Sequence, residues 1–205
     1  MIKSSLELIH IDYFREKGSI LFTDLLSKEL LNKAKQALCF IPKKSERNCW
    51  KNYDVLKKLS MNHNFTSIAS ALCRQKSLRL GFDHYFSSFN ELKDFFKESP
   101  LSEKCSIDGL EIALLMNLSA NEVEITKESL TFPLTSGSAC FFNPKNPLTL
   151  PEMPLTEGPF FLITYCKQNA RYIYQALDVY THEEKKEGQA FGDLISSRLH
   201  PLLSY

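Results

Sequence analysis

The sequence predicts an α+β protein in which a barrel of short β-strands is braced by N-terminal helices. Helical spacing of apolar residues dominates before residue 100, whereas short apolar runs split by glycine, proline and asparagine follow from residue 105. Fifteen phenylalanines and eight tyrosines stand against seven glycines, which favours sheet because aromatic side chains pack well on pleated surfaces. We expect a single domain, 1–205, with a helix-rich half at 1–100, barrel strands at 101–180 and an irregular tail at 181–205.

The first half is predicted to contain three helices and two strands. Residues 19–22 indicate a short strand, and Ser27 caps a helix whose apolar stripe starts at Leu30. A second helix is expected after an Asn64 cap, and the spacing in "SFNELKDFFKES" predicts a third. Between them, "SLRLGFDHYF" alternates apolar and polar residues, which predicts a half-buried strand.

The second half is predicted to be a series of strands. These are "IDGLEIALLMNL", "NEVEIT", "ESLTFPL", "GSACFF", "PFFLITYC" and "ARYIYQAL". Their short lengths and the turn residues between them are typical of a β-meander or barrel.

Charge is distributed unevenly although the net charge is only +1. Nine basic and three acidic residues lie between Lys28 and Lys58, where Phe40, Trp50 and Tyr53 are interspersed. Such a segment could bind single-stranded nucleic acid or a phosphate-bearing ligand, or it could be an ordinary solvated helix and loop. Its candidate basic patch consists of Lys43, Lys44, Arg47 and Lys51.

The six cysteines are ten or more residues apart and form no C-x-x-C pair, which argues against a zinc knuckle or a thioredoxin-like redox site. The chain opens without a signal-peptide pattern and contains no run of 18 apolar residues. We therefore expect a reduced, cytoplasmic protein with no membrane partner.

Several segments resemble, in the same order, the phytanoyl-CoA dioxygenase branch of the Fe(II)/2-oxoglutarate-dependent oxygenases. "GSILFTDLLSKELLNKAKQAL" is similar to their opening strand and helix, and "CSIDGLEIALLMNLS" to the strand that carries their His-x-Asp pair. "TFPLTSGSACFF" resembles the strand before the distal metal histidine, and "GPFFLITY" the strand after it. The resemblance covers most of the chain and implies a double-stranded β-helix, which is a jelly-roll-like barrel.

The resemblance also implies where the cofactors would bind. Two histidines and a carboxylate hold Fe(II) in that family, and a cation holds the far carboxylate of 2-oxoglutarate. The proximal pair falls on Ser106 and Asp108, the distal histidine near Leu148, and the cation near Phe160. Of these positions, only Asp108 has the residue type that the family uses. We therefore expect neither Fe(II) nor 2-oxoglutarate to bind, and we assign no catalytic, cofactor-binding or metal-binding residue.

A pocket is still expected at the mouth of the implied barrel. It would be lined by Ser106, Asp108, Asn117, Leu148 and Phe160, and it could hold a small ligand or a protein segment.

Three further histidines could have rescued a metal site. His10 and Asp12 form a literal His-x-Asp, but they precede the first strand and are interpreted as surface or capping residues. Asp83 and His84 are neighbours on a predicted strand, so their side chains point to opposite faces. His182 belongs to a charged loop. A non-standard site could use His10 or His84 with Asp108. Another could draw on Cys105, Asp108, Asn146 or Glu152.

Three functions follow. The first is a non-catalytic binding or regulatory protein on a degenerate oxygenase fold. The second comes from a resemblance to small bacterial proteins described as divalent-cation-dependent, Fur-like regulators, which implies metal-triggered DNA binding through the basic patch. The third is an active oxygenase with a non-standard metal site.

Overall fold

The computed structural model describes residues 6–23, 25–41, 46–97, 99–119, 132–151 and 158–203. Its α-helices are α1 (Leu8–Lys17), α2 (Lys28–Leu38), α3 (Asp54–Ser60), α4 (His63–Cys73) and α5 (Phe89–Phe96). Its strands are β1 (Ser19–Phe22), β2 (Glu46–Arg47), β3 (Leu78–Phe86), β4 (Ile107–Asn117), β5 (Ala139–Phe142), β6 (Phe160–Tyr172) and β7 (Leu202–Leu203). Short 3₁₀ helices cover Cys49–Lys51, Leu101–Glu103 and Glu184–Glu187.

The strands form one antiparallel sheet in the order β1-β5-β4-β6-β3-β2, and β7 pairs with the outer end of β3. Strands β4 and β6 lie in the middle and pair from Ile107↔Tyr172 to Asn117↔Phe160. The irregular step in this pairing falls beside Gly109, whose φ of +100° is a backbone conformation that favours glycine.

The sheet has two covered faces, because side chains alternate along each strand. On the first, called the helix face, Ile112, Leu114 and Met116 of β4 pack in one cluster with buried residues of α1 to α4. On the second, called the aromatic face, Ala113 and Leu115 pack with seven buried phenylalanines. These are Phe82, Phe86, Phe89, Phe96, Phe132, Phe142 and Phe160.

The predicted mixture of helices and antiparallel strands is confirmed, but the described strands form an open sheet with β1 and β2 at its edges. In the described part of the chain, the aromatic face is covered by α5 and by loops rather than by a second sheet. The combination of helices with antiparallel strands is therefore confirmed, whereas the described strands do not close into a barrel.

Individual elements match the sequence patterns to different degrees. Strand β1 and helix α2 lie where they were predicted, and Ser27 Oγ accepts a hydrogen bond from Leu30 N–H at 3.2 Å. The predicted cap of α4 was wrong, because Asn62 rather than Asn64 caps it by accepting from Asn64 N–H at 2.9 Å. The third predicted helix is α5, whose cap is Ser88.

Two strand predictions need correction. Strand β3 is covered on both faces rather than half-buried, since only Arg79 along it is partly exposed. The runs at 159–166 and 170–177, predicted as separate strands, contribute instead to the single strand β6. The run at 121–126 and the first four residues of the run at 128–134 lie outside the described residues, and 132–134 form no strand.

All six cysteines are free thiols, and three of the four most deeply buried lie on or beside β4, β5 and β6. In the described part of the chain, no helix combines the length and the apolar character needed to cross a membrane.

Candidate functional site

Ser106 lies just before β4 and contacts a loop from the C-terminal part of the chain. Its backbone N–H donates to Asp178 Oδ2 at 2.8 Å, and its hydroxyl lies 2.8 Å from Thr181 Oγ1. Asp108, two residues later, is exposed and is paired in register with Arg171 of β6. Thus the buried hydroxyl is already engaged within the protein, and the carboxylate residue faces solvent.

Asn117 and Phe160 are register partners at the opposite end of β4. The Asn117 amide donates to the carbonyl oxygens of Pro133 and Leu134 at 3.0 and 2.9 Å, so it fastens that loop to the sheet. The Phe160 ring is fully buried and lies 5.6 Å, centroid to centroid, from the ring of Phe132.

These predicted pocket residues do not converge. Strand β4 is eleven residues long, so roughly 30 Å separate Ser106 and Asp108 from Asn117 and Phe160 at an extended rise of about 3.3 Å per residue. Leu148 is partly buried against the aromatic face. The structure does not bring the five residues into one pocket.

The described residues do not fit Fe(II) and 2-oxoglutarate at the positions that the resemblance implies. Asp108 is exposed, Ser106 is hydrogen-bonded internally, and the ring of Phe160 lies where a cation would be needed. In the six described ranges, no group of three or more His, Cys, Asp or Glu side chains could hold a metal ion. The donor chemistry that iron prefers is missing at these positions.

The histidines have other roles. His10 Nδ1 accepts from Glu7 N–H at 3.1 Å at the start of α1, which confirms the predicted capping role.

His84 stacks on Phe86 at 4.4 Å on the aromatic face, whereas the preceding Asp83 contacts Ser60 of α3 on the helix face. Burial, and then the charge of Arg47, lower the pKa of His84 to about 3. Its imidazole is therefore neutral at neutral pH.

Two of the four residues of the candidate basic patch, Arg47 and Lys51, lie in the described part of the chain. Lys43 and Lys44 lie outside the described residues, and Lys51 is exposed with its Nζ 5.8 Å from the ring centroid of Trp50. Arg47 is buried, with only 7% of its side chain exposed, and forms an ion pair with Asp178. The prediction that Arg47 belongs to a surface patch is therefore wrong. Its side chain is buried and ion-paired with Asp178, so it is not available to bind a phosphate group at the surface.

Arg47 is instead the centre of a buried polar cluster. Its guanidinium lies between two rings, 4.2 Å from the centroid of Phe82 and 4.4 Å from that of Tyr180. Its Nη1 donates to both carboxylate oxygens of Asp178, at 2.9 and 3.0 Å, and its Nη2 donates to the Lys104 carbonyl at 3.3 Å. Its Nε is buried and has no acceptor among the described residues. The cluster thus combines cation–π contacts with charge-assisted hydrogen bonds to a carboxylate.

Asp178 is carried by the 173–183 segment, which follows β6 and contains no helix or strand. Besides Arg47, its carboxylate accepts from Ser106 N–H at 2.8 Å and from Tyr180 N–H at 3.0 Å. Thr181 adds a contact to Ser106, and its carbonyl accepts from the Tyr172 hydroxyl. The segment is therefore held against the sheet mainly by polar contacts around one carboxylate.

Two cavities flank the cluster, and Arg47 lines both. The first, of about 280 Å³, is bordered by Arg47 and Asp178, by Lys97 and Lys104, and by apolar Phe95, Leu177 and Val179. The second, of about 290 Å³, lies on the side of Lys51, Tyr180, Glu184 and His200. In both cavities, a buried charge meets open space.

Sequence reasoning missed the partners of Arg47 because they are far away in the chain. Arg47 and Asp178 are 131 residues apart, and Asp178 directly follows the run at 170–177 that was predicted to be a strand. The signal in the sequence was weak: Asp178 is an acidic residue between the apolar Leu177 and Val179.

No protein-family model matches this chain, and no curated protein matches it by sequence. Solved structures do match by shape. The non-heme alpha ketoglutarate dependent carbocyclase SnoK from nogalamycin biosynthesis gives a TM-score of 0.71 at 12% identity, over 98% of this chain and 97% of SnoK. The epimerase SnoN from the same biosynthesis gives 0.68 at 12% identity, over 95% and 97%.

CT296 from Chlamydia trachomatis gives a TM-score of 0.58 at 15% identity, over 82% of this chain and 99% of CT296. At identities of 12–15%, these matches show a shared fold and do not show a shared activity. The chain therefore shares the fold of the Fe/2-oxoglutarate-dependent oxygenases, while its described residues lack a donor set that fits their cofactors.

Proposed function

We propose that this protein is a non-catalytic binding protein built on the oxygenase fold, in the phytanoyl-CoA dioxygenase-like branch that its sequence resembles. The observation that carries the proposal is the packing of Phe160, which is fully buried against Phe89 and Phe132 where the resemblance implies a cation. A carboxylate placed against these rings would lose its water without gaining a positive charge. The exposure of Asp108 supports the same proposal.

Binding at the cavity lined by Arg47, Lys104 and Phe95 is part of this proposal. Support comes from the concentration there of buried charge, aromatic surface and open volume. Small-molecule sites typically combine an apolar lining with a few fixed polar groups, and this cavity has that composition. The DNA-binding alternative lacks comparable support, because Arg47, the described arginine of the basic patch, is bound to Asp178.

The test is turnover with Fe(II) and 2-oxoglutarate in air, with succinate as the measured product, together with an anaerobic Fe(II) titration by calorimetry. We expect no succinate above a protein-free control and no stoichiometric Fe(II) binding. The matched control is Asp108→Asn, which should leave both measurements unchanged because Asp108 is exposed. Stoichiometric Fe(II) and succinate in the wild type, both lost in Asp108→Asn, would show that the protein is an oxygenase after all.

A further inference from the structure

We infer that the 280 Å³ cavity beside Arg47 binds a small organic acid with an apolar chain, whose carboxylate replaces that of Asp178 on the guanidinium. The inference rests on the proposed binding function and names its ligand class. The Asp178 carboxylate occupies the Arg47 guanidinium when no ligand is bound, and it competes with the ligand for this position.

The charge of the cavity argues for an acid. Arg47 already binds one carboxylate through both of its oxygens, so the geometry for this group exists. Lys97 and Lys104 border the same cavity, and besides Asp178 the acidic residue on its wall is Asp94. When Asp178 moves away, the Arg47 guanidinium loses its carboxylate partner, and an incoming carboxylate would replace it.

The neighbours of Asp178 argue for an apolar chain. Leu177 is 56% exposed and Val179 is 90% exposed, although both flank a residue whose side chain is 1% exposed. With Phe95 they form the apolar wall of the cavity. A hydrocarbon chain lying across this wall would remove apolar surface from water on both sides of the contact. The volume lies at the lower limit of the roughly 300–1,000 Å³ of small-molecule pockets, which indicates a short chain.

The 173–183 segment is suited to move. It contains no strand, and beyond the Ile173 N–H, which donates to the Ser106 carbonyl at 3.0 Å, it is attached through Asp178, Thr181 and the ring of Tyr180. Segments with few buried apolar contacts open at a lower free energy than the core of a protein. Displacement of Asp178 would leave the N–H groups of Ser106 and Tyr180 without their present acceptor.

The first experiment measures binding of sodium hexanoate by calorimetry to the wild type and to Asp178→Asn. Removing the internal competitor should tighten hexanoate binding by about tenfold or more, as for any ligand that competes with a tethered group. Acetate should bind more weakly than hexanoate, and hexylamine should not bind. Equal affinity in the two proteins, or binding of hexylamine as tight as that of hexanoate, would overturn the inference.

The second experiment avoids any loss of folding in Asp178→Asn by using the exposed position 179. Val179→Glu should weaken hexanoate binding about two- to fivefold relative to Val179→Gln, the effect of one exposed like charge. Phe40→Glu, at a site that is 82% exposed and does not border the cavity, should bind as the wild type does. Identical affinities of Val179→Glu and Val179→Gln would count against this cavity.

The third experiment measures the backbone amides of Ser106 and Tyr180, which donate hydrogen bonds to Asp178 in the absence of ligand. In wild-type protein saturated with hexanoate, amide hydrogen exchange should be faster at Ser106 and Tyr180 than in the free protein. Unchanged exchange at both amides would overturn the displacement of Asp178. Failure of all hexanoate measurements would leave the proposed function standing, whereas Fe(II)-dependent succinate formation would remove that function whatever hexanoate does.

Discussion

At the residue scale, Arg47 and Asp178 depend on each other because both are buried, with 7% and 1% of their side chains exposed. A single substitution leaves the other charge without its partner in a place that water hardly reaches. Desolvation makes such a charge far more costly than the intact pair.

We predict that Asp178→Ala lowers the free energy of unfolding by about 3–5 kcal/mol, the usual cost of breaking a buried pair. The double substitution Arg47→Met with Asp178→Leu should cost less than Asp178→Ala alone, since no charge is then left buried. Urea denaturation of the three proteins measures both effects. Glu183→Gln is the control, because the Glu183–Lys186 pair is more than half exposed on both sides and should contribute less than about 1 kcal/mol.

Asp83 is a second buried charge site, and it has no cation among the described residues. It is fully buried, and its Oδ2 accepts from Ser60 Oγ at 2.7 Å and from Trp50 N–H at 3.0 Å, while Oδ1 has no described partner. Burial raises its pKa from 3.8 to about 7, although these hydrogen bonds oppose the rise. The stability that the protonated group provides is therefore complete below about pH 4 and is lost as the pH rises through 7.

We predict that wild-type protein loses stability relative to Asp83→Asn between pH 4 and pH 8. The asparagine keeps the acceptor for Ser60 and Trp50 but cannot ionise. The free energy of unfolding of the variant therefore has no pH-dependent contribution from residue 83. The difference between the two free energies of unfolding should change by up to about 1.4 kcal/mol per pH unit within that window. Parallel curves for the two proteins would mean that folding does not raise the pKa of Asp83.

At the element scale, β3 depends on glycine at one position. Thr164 of β6 accepts from Phe82 N–H at 2.8 Å and donates to the Phe82 carbonyl at 2.9 Å, next to the irregular pairing between Leu80 and Asp83. A Cβ on Gly81 would lie 2.5 Å from Thr164 Oγ1, which is too close for any real contact. The two strands can approach in this way only because residue 81 has no side chain.

We predict that Gly81→Ala destabilises the protein by about 1–3 kcal/mol through overpacking. In a Thr164→Ala background the same change should cost clearly less, because the atom it meets has been removed. A double-mutant cycle from denaturation curves measures the difference. An equal cost in both backgrounds would assign the effect to the other neighbours of the added methyl group, the Thr164 carbonyl oxygen and Leu110.

The elements also show what local pattern can and cannot predict. Strand β1, helix α2 and strand β4 were predicted near their true bounds because they combine clear periodicity with turn or cap residues. Helix α1 was missed because its exposed positions include Leu8, Ile9 and Tyr13, so no clean polar face marks it. Strand β6 was divided in two because Lys167, Gln168 and Asn169 are exposed and polar, a sign of a turn.

At the scale of the whole molecule, the two clusters explain how an oxygenase fold can be stable although its described residues offer no fitting metal site. The helix face packs against α1 to α4, and the aromatic face is closed by seven phenylalanines. Buried aromatic rings contribute much of a core's stability, so the sheet does not require a bound cofactor to be covered on both sides.

The amino-acid sequence alone determined the mixture of helices and antiparallel strands, because this follows from periodicity and from residue identity. The placing of Ser106 and Asp108 at iron-ligand positions rests on the family resemblance. Only the tertiary structure decided that Asp108 is exposed, that the five predicted pocket residues lie apart, and that Arg47 binds Asp178. The physical reason is that burial and ion pairing depend on which distant segments meet. A separation of 131 residues leaves no local trace of such a contact in the sequence.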